Sequence, residues 1–451
     1  MPGVNFQKIL ILDCGSPYAQ IIARRVRDLN VYSEVKPYTL ALDKLQAENY
    51  QAVILIGSSY EKPNPQVHQK LTKAIADILT LELPVLAICL DANLITADQA
   101  KNIYVSSEVP AFKQTDSEKQ LLQDFLFNQA KLKGDWMIDD FIKNKVAEIK
   151  AEVGNSKVIM GLSGGVDSSV AAVLVNQAIG KQLYCIFVDH GLMRKKEGDQ
   201  VEQMFRKQFD MNFIRVNAED RFLGKLANVV DAEQKRKIIG EEFIRVFEEE
   251  AQKIENAEYL VQGTIYPDII ESGAGDSKLI KSHHNVGGLP EDIDFKGIIE
   301  PLADLFKDEV RRVGLAMDIP ADMIWRQPFP GPGLGIRIIG DITKAKADLL
   351  RDADAIYREE IAKAGLDREL SQYFAVLTNL KSVGVKDDAR TYDYTLALRA
   401  VKTVDFMTAE PAEIPFPLLR KITKRITDEV SGINRIVYDI TGKPPATIEW
   451  E

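Results

Sequence analysis

The chain has 451 residues, 45% hydrophobic and 27% charged, with 57 Lys+Arg against 67 Asp+Glu for a net charge of −10. That balance is ordinary for a globular protein and excludes collagen-like, low-complexity and fully disordered chains. The acidic excess disfavours a broad nonspecific nucleic-acid surface, yet leaves room for one anionic ligand in a local basic pocket.

At roughly 150 residues per domain the length points to about three domains. The first residues, Met1 to Asn5, run straight into the strand-like Ile9–Leu12 without the basic stretch and long apolar core of a signal peptide. No apolar run approaches the roughly 18 residues of a membrane span, so no membrane partner is expected. Further strands are predicted at Ser33–Pro37, Ala52–Ile56 and Val85–Ile88, with helices at Tyr18–Leu29 and Val67–Leu79. This alternation reads as a parallel α/β sheet over residues 1–112. A polar stretch and a helix fill 113–132. A second α/β series follows over 133–328, with strands at Val158–Leu162, Leu183–Val188, Phe213–Val216 and Tyr259–Gln262 and a long helix at Ala232–Ile254. The run Pro328-Phe329-Pro330-Gly331-Pro332-Gly333 marks a boundary. The last unit, 329–451, carries helices at Lys344–Ala364 and Pro417–Val430 and strands near Phe374–Leu377, Tyr394–Leu398 and Arg435–Ile440. Its irregular order reads as α+β. Three cysteines (Cys14, Cys89, Cys185) have no CxxC spacing, so neither a disulfide framework nor a cysteine zinc site is expected, and a reducing cytoplasm is the simple reading.

The sharpest local feature is Ser163-Gly164-Gly165-Val166-Asp167-Ser168-Ser169, between a strand and a helix. Two glycines let the backbone turn tightly against a ligand. Free N–H groups at the helix start make an anion site, and the serines add hydroxyl donors. Asp167 is suited to Mg²⁺ rather than to bare phosphate. The bland alternative is a Gly-Gly turn with Asp167 and the serines as caps. No GK[ST] follows, so the string is not a Walker A loop. It resembles the pyrophosphate loop of the N-type ATP pyrophosphatases, which transfer AMP from ATP to a carbonyl or carboxyl oxygen.

Further strings narrow the resemblance: Phe187 to Arg194 (FVDHGLMR), Lys235-Arg236-Lys237, Gln262 to Ser272 (QGTIYPDIIES), Lys281 to Pro290 (KSHHNVGGLP), Arg326 to Gly333, and the terminal Lys443 to Glu451 (KPPATIEWE). Together these resemble the GMP synthetase family, from about Lys133 to the last residue. The resemblance implies an α/β architecture in three parts: a flavodoxin-like amidotransferase domain, a doubly wound parallel-sheet ATP pyrophosphatase domain, and an α+β C-terminal domain that mediates dimers. It implies a ligase that adenylylates xanthosine monophosphate (XMP) with ATP and Mg²⁺, then aminates it to GMP. By the same resemblance Ser163, Gly164, Gly165, Asp167 and Ser168 hold pyrophosphate, and Val188 meets adenine. Asp268, Glu271 and Lys281 serve the chemistry, with Asp167 and Asp268 as magnesium candidates. Arg236, Arg326, Gln372, Lys443, Ile448 and Glu449 hold the XMP, and Arg435 reaches a neighbouring subunit's site. His283, His284 and Asn285 belong to a lid over Ser272–Leu289. His190 reads as a structural histidine at a strand end.

Residues 1–112 resemble a shortened class I glutamine amidotransferase. Cys89 sits where the nucleophile belongs, but its flanks Ala87 and Asp91 are poorly suited to a strained elbow. Ser106 and Glu108 stand where the family's histidine and glutamate are expected. The four histidines are His68, His190, His283 and His284, and the last three belong to synthetase strings. A cysteine without a base lacks activation, so Cys89 is expected to be a buried strand cysteine and glutamine hydrolysis to be absent. Ammonia, free or from a separate glutaminase, would then supply nitrogen. Gln327 replaces the family's usual histidine before PFPGPG. A paralogue acting on another purine-like substrate and a catalytically silent binding protein are the competing readings.

Overall fold

A computed structural model describes residues 6–57, 65–91, 94, 103–106, 115–271, 295–386, 388–403 and 406–451. The chain divides into two compact units. The first takes residues 1–148, 265–280 and 304–309; the second takes 149–264, 281–303 and 310–451.

The first unit is built on a five-stranded parallel sheet in the order β2-β1-β3-β4-β5, from β1 (Lys8–Asp13), β2 (Tyr32–Pro37), β3 (Ala52–Ile56), β4 (Val85–Ile88) and β5 (Ile103–Ser106). That is the flavodoxin-like order. Alternate residues of β1 enter different cores, Ile9 and Ile11 on one face, Leu10 and Leu12 on the other. Both faces are therefore covered, which explains why these strands read as continuous apolar runs.

The second unit holds two sheets. One is parallel, ordered β10-β9-β6-β7-β8, from β6 (Lys157–Gly161), β7 (Leu183–Asp189), β8 (Asn212–Asn217), β9 (Ala257–Val261) and β10 (Gly297–Ile299). The other pairs β11 (Gln372–Lys386) with β12 (Ala389–Lys402) antiparallel; β12 also pairs with β13 (Glu410–Pro411) antiparallel and β14 (Ile433–Asp439) parallel. The α/β and α+β classes expected from the sequence are thus present. The Pro-Gly run at 328–333 is not an open linker. Leu334 and Ile338 just beyond it are buried in one apolar cluster with Val188, Leu192, Leu377 and Leu398, so the two sheets share a core. A side chain at Gly333 would collide with the Leu192 carbonyl. Among the described residues no helix is long and apolar enough to cross a membrane.

Candidate active site

In the parallel sheet of the second unit, β6 is the central strand from which the order runs one way through β7 and β8 and the other through β9 and β10. Ligands bind beyond the C-terminal ends of strands at such a reversal. The segment leaving β6 there is Ser163–Ser169. Gly164 takes φ +76°, and Gly165 is the extended N-cap of the helix Val166–Ile179. The Ser163 and Ser168 hydroxyls lie 2.9 Å apart across the turn, and the Gly165 N–H donates to Ser163 Oγ at 3.3 Å. Asp167 lies in the first helical turn. Gly263, just past β9, packs so closely that a Cβ there would sit 3.4 Å from the Ser168 nitrogen. Loop and neighbouring strand end thus form one backbone-lined cradle, the arrangement an anion needs. Val188 is buried in β7, so its side chain belongs to the core.

Arg326 reaches this cradle. Its Nη1 lies 3.5 Å from the Gly164 carbonyl and 3.0 Å from Glu197 Oε1, and Nη2 donates to Gln200 at 3.2 Å. Burial lowers the pKa of this guanidinium. Next to it, Arg194 is buried over the Phe329 ring at 4.2 Å and donates to the Pro328 carbonyl at 3.2 Å. Burial, then the nearby Arg358, brings its pKa down to about 9. His190 is the structural residue the sequence suggested. Its Nδ1 accepts from the Leu192 N–H at 3.1 Å, and burial lowers its pKa to about 4.

The C-terminal string is held in place by Gln372 and Arg236, which the sequence singled out, together with Arg337 and Arg399, which it passed over. Arg337 binds Glu449 through two bonds, and Gln372 Nε2 donates to Glu449 Oε1 at 2.7 Å. Fully buried Arg399 donates to the carbonyls of Thr441, Thr447 and Ile448 and pairs with Asp439 at 3.0 Å. Fully buried Lys235 donates to the Ile338 carbonyl at 2.7 Å and pairs with Glu451, while Arg236 bonds the Glu451 main-chain oxygen. Gln372, Glu449, Ile448 and Arg236 are therefore brought together through the terminal segment. Lys443 instead donates to the Phe406 carbonyl at 2.7 Å, and Arg435 to Ser382 Oγ at 3.0 Å. Gln327 Oε1 accepts the Tyr373 N–H at 3.1 Å. The signal for Arg337 was available: a single arginine inside the apolar Leu334–Ile339 run, where a charge is costly unless paired.

Asp268 lies in the short helix Tyr266–Glu271, assigned to the first unit, where its Oδ2 accepts the Ile265 N–H at 3.0 Å. Glu271 ends that helix. Glu108, Lys281, His283, His284, Asn285 and the expected lid lie outside the described residues.

Cys89 corrects two expectations. It is not a strand residue but lies one position past β4, and its φ of +51° is the left-handed conformation of a nucleophile elbow. Gly57, leaving β3, makes this fit: a Cβ there would sit 2.6 Å from the Cys89 carbonyl. The flanks Ala87 and Asp91 therefore did not abolish the strained turn. Burial raises the thiol pKa. The Cys89 N–H donates at 3.0 Å to the carbonyl of Ser106, which ends β5.

A backbone-lined cradle at the reversal point of a doubly wound sheet, followed by an α+β domain, is the arrangement of an α/β enzyme of the ATP pyrophosphatase class. Three family models match: glutamine amidotransferase class-I at residues 10–165, NAD synthase at 136–245 and GMP synthase C terminal domain at 359–450. The chain is 52% identical to "GMP synthase [glutamine-hydrolyzing]" of Ruminiclostridium cellulolyticum and 51% to that of Acetivibrio thermocellus, each over 515 aligned positions covering 99% of this chain and 100% of the relative. The chain belongs to the GMP synthase family. Since 515 aligned positions exceed 451 residues, at least 64 of them have no counterpart here. Among solved structures, an NMN synthetase from Francisella tularensis is 17% identical with a TM-score of 0.34, over 45% of this chain and 79% of that one.

Proposed function

We propose that this chain is a GMP synthase that takes its nitrogen as ammonia. In the first step the C2 oxygen of XMP attacks the α-phosphorus of ATP, the bond to the β-phosphate oxygen breaks, and pyrophosphate leaves. In the second, ammonia attacks C2, the bond from C2 to the AMP-bearing oxygen breaks, and AMP departs while the nitrogen sheds one proton and keeps two as the amino group. The observation that carries the first step is the Ser163–Ser169 cradle with Arg326 at its edge, suited to a leaving pyrophosphate. The Arg337–Glu449–Gln372 group with the terminal segment is the reading's nucleotide monophosphate site.

Magnesium would come with ATP, neutralising phosphate charge. Such an ion keeps waters and phosphate oxygens and takes only one or two carboxylates. Asp167, in the helix turn beside the cradle, fits that role, and Asp268 is the second candidate. Among the described residues no group of three or more His, Cys, Asp or Glu forms a protein-only cage.

Ammonia dependence rests on the histidine count. The elbow at Cys89 persists, but its strand neighbour at the end of β5 is Ser106, and His68 lies in the earlier helix Pro65–Leu79. A thiol whose pKa burial has raised needs a base to become a nucleophile. The relatives' printed names specify glutamine hydrolysis; Ser106 at the position where a histidine is expected is what supports its loss in this chain. The deciding assay compares ammonium and glutamine as nitrogen donors with XMP and ATP. GMP is expected with ammonium and near-background with glutamine. Glutamate release matching GMP formation would overturn the reading.

A further inference from the structure

We propose that Glu197 is a positioning residue for the backbone-lined cradle: its carboxylate holds the Arg326 guanidinium at the loop and offsets its charge, which loosens the grip on pyrophosphate so that this product leaves. This rests on the reading of Ser163–Ser169 as the pyrophosphate site. Arg326 Nη1 donates to Glu197 Oε1 at 3.0 Å and lies 3.5 Å from the Gly164 carbonyl, so one nitrogen spans carboxylate and cradle. The two side chains are only 10% and 5% exposed, so solvent ions screen the pair little. Burial works against the guanidinium charge, and of the surrounding charges Glu197 does most to support it. An arginine without such a partner would bind a multiply charged anion tightly and retain it after the reaction.

Glu197 is held against swinging away with the arginine. Its Oε2 accepts the Arg194 N–H at 3.0 Å, and its own N–H donates to the Arg194 carbonyl at 3.1 Å. It opens the short helix Glu197–Gln203, whose start is clamped to the ends of two strands. Arg215 of β8 donates to Asp189, the last residue of β7, at 2.6 Å, and to Asp199 and Glu202 of that helix at 2.7 and 3.2 Å. Gly198 lets this fork come close, since a Cβ there would sit 2.6 Å from Arg215 Nη2. Arg326 must therefore share its charge between a fixed carboxylate and the ligand. Gln200, one helical turn further, gives its other nitrogen, Nη2, a neutral acceptor at 3.2 Å.

The test uses the full chain with ammonium, XMP and ATP, adds inorganic pyrophosphate as inhibitor, and reads initial rates of GMP formation for Glu197→Gln and Gln200→Glu. In the unmodified chain pyrophosphate is expected to compete with ATP. Glu197→Gln keeps the size of the side chain and removes its charge, so the inhibition constant is expected to fall by about tenfold, the scale of one unit charge removed a few ångströms from an anion in partly buried surroundings. Gln200 is exposed, and Gln200→Glu adds a second carboxylate to the same guanidinium, so there the constant should rise several-fold; this variant decides alone if Glu197→Gln does not fold. Damage to the shape of the cradle would weaken pyrophosphate in both variants. A raised constant for Glu197→Gln, or an unchanged constant in either folded variant, therefore overturns the proposal. If pyrophosphate does not compete with ATP in the unmodified chain, the pyrophosphate reading of the loop falls and the proposal with it.

Discussion

Arg337 grips Glu449 with a two-pronged bond, Nε to Oε2 at 3.0 Å and Nη2 to Oε1 at 2.7 Å, while 1% exposed between the rings of Phe374 and Phe329. Gln372 shares the same carboxylate oxygen. Lysine keeps the charge but loses the fork. Arg337→Lys is therefore expected to raise KM for XMP by about tenfold, some 1.4 kcal/mol of binding, while KM for ATP holds. Arg337→Met should cost on the order of 3 kcal/mol of stability, because it strands a partly buried carboxylate. Steady-state kinetics with each substrate varied, alongside thermal melts, checks both; equal effects on the two KM values would contradict the assignment.

How much of this was written in the sequence differs by element. Ala52–Ile56 and Val85–Ile88 match β3 and β4 residue for residue, because strands buried on both faces are unbroken apolar runs with polar or Gly/Pro flanks. β5 escaped: it has four residues, and Tyr104 and Val105 are exposed, so no burial pattern marks it. β11 and β12 are much longer than their apolar segments, because the hairpin arm beyond Leu377 leaves the core. The Ser163–Ser169 cradle was legible since loop chemistry is local. The packing of Tyr266 against Val35 was not, since 231 residues separate the two.

Gly164 tests the cradle. At φ +76° an added Cβ would be strained, and it would sit 3.1 Å from Val201 Cγ2. Gly164→Ala is expected to cost about 1–2 kcal/mol through the left-handed backbone alone. The loss of ATP-dependent pyrophosphate release should exceed what the fall in folded fraction explains. A variant with lowered melting temperature and unchanged specific activity would remove the loop from the ATP site.

Cys89 offers a sharper contrast. If its thiol is idle, Cys89→Ala leaves the ammonium-supported rate unchanged, and glutamine supports the same near-background rate in both proteins. A wild-type glutamine rate that Cys89→Ala abolishes would show that the elbow still works, with a base the sequence did not reveal.

His190 sets an acid limit on stability. Its folded-state pKa is about 4, because burial opposes the charged ring, against roughly 6.5 when unfolded. As pH falls, the unfolded chain takes up the proton first, so stability is full above about pH 6.5 and is lost toward pH 4. The ceiling is on the order of 3 kcal/mol. His190→Asn keeps an acceptor for the Leu192 N–H without titrating. Denaturant midpoints of the two proteins should diverge across that window and run parallel above it; identical pH profiles would count against the histidine.

The hairpin arm makes a prediction about assembly. Tyr394, Leu396 and Leu398 of β12 line the apolar core at every second position, and Tyr392 continues that face outward. Opposite Tyr392 in register is Val383, with Val385 two residues further along. In the single chain Val385 is 78% and Tyr392 65% exposed, so the core stripe runs on past the point where the chain covers it. A strand face of that kind is a surface for another copy or a site of aggregation. The family resemblance gives the C-terminal domain the dimerising role, and this arm is where it should act. Val385→Glu would place a charge in such an interface and leave the folded core of one subunit untouched. Light scattering is expected to give a dimer for the unmodified chain and a monomer for Val385→Glu at micromolar concentration, with circular dichroism unchanged. Two molecules of the same mass, both monomeric or both dimeric, would exclude the arm as the contact.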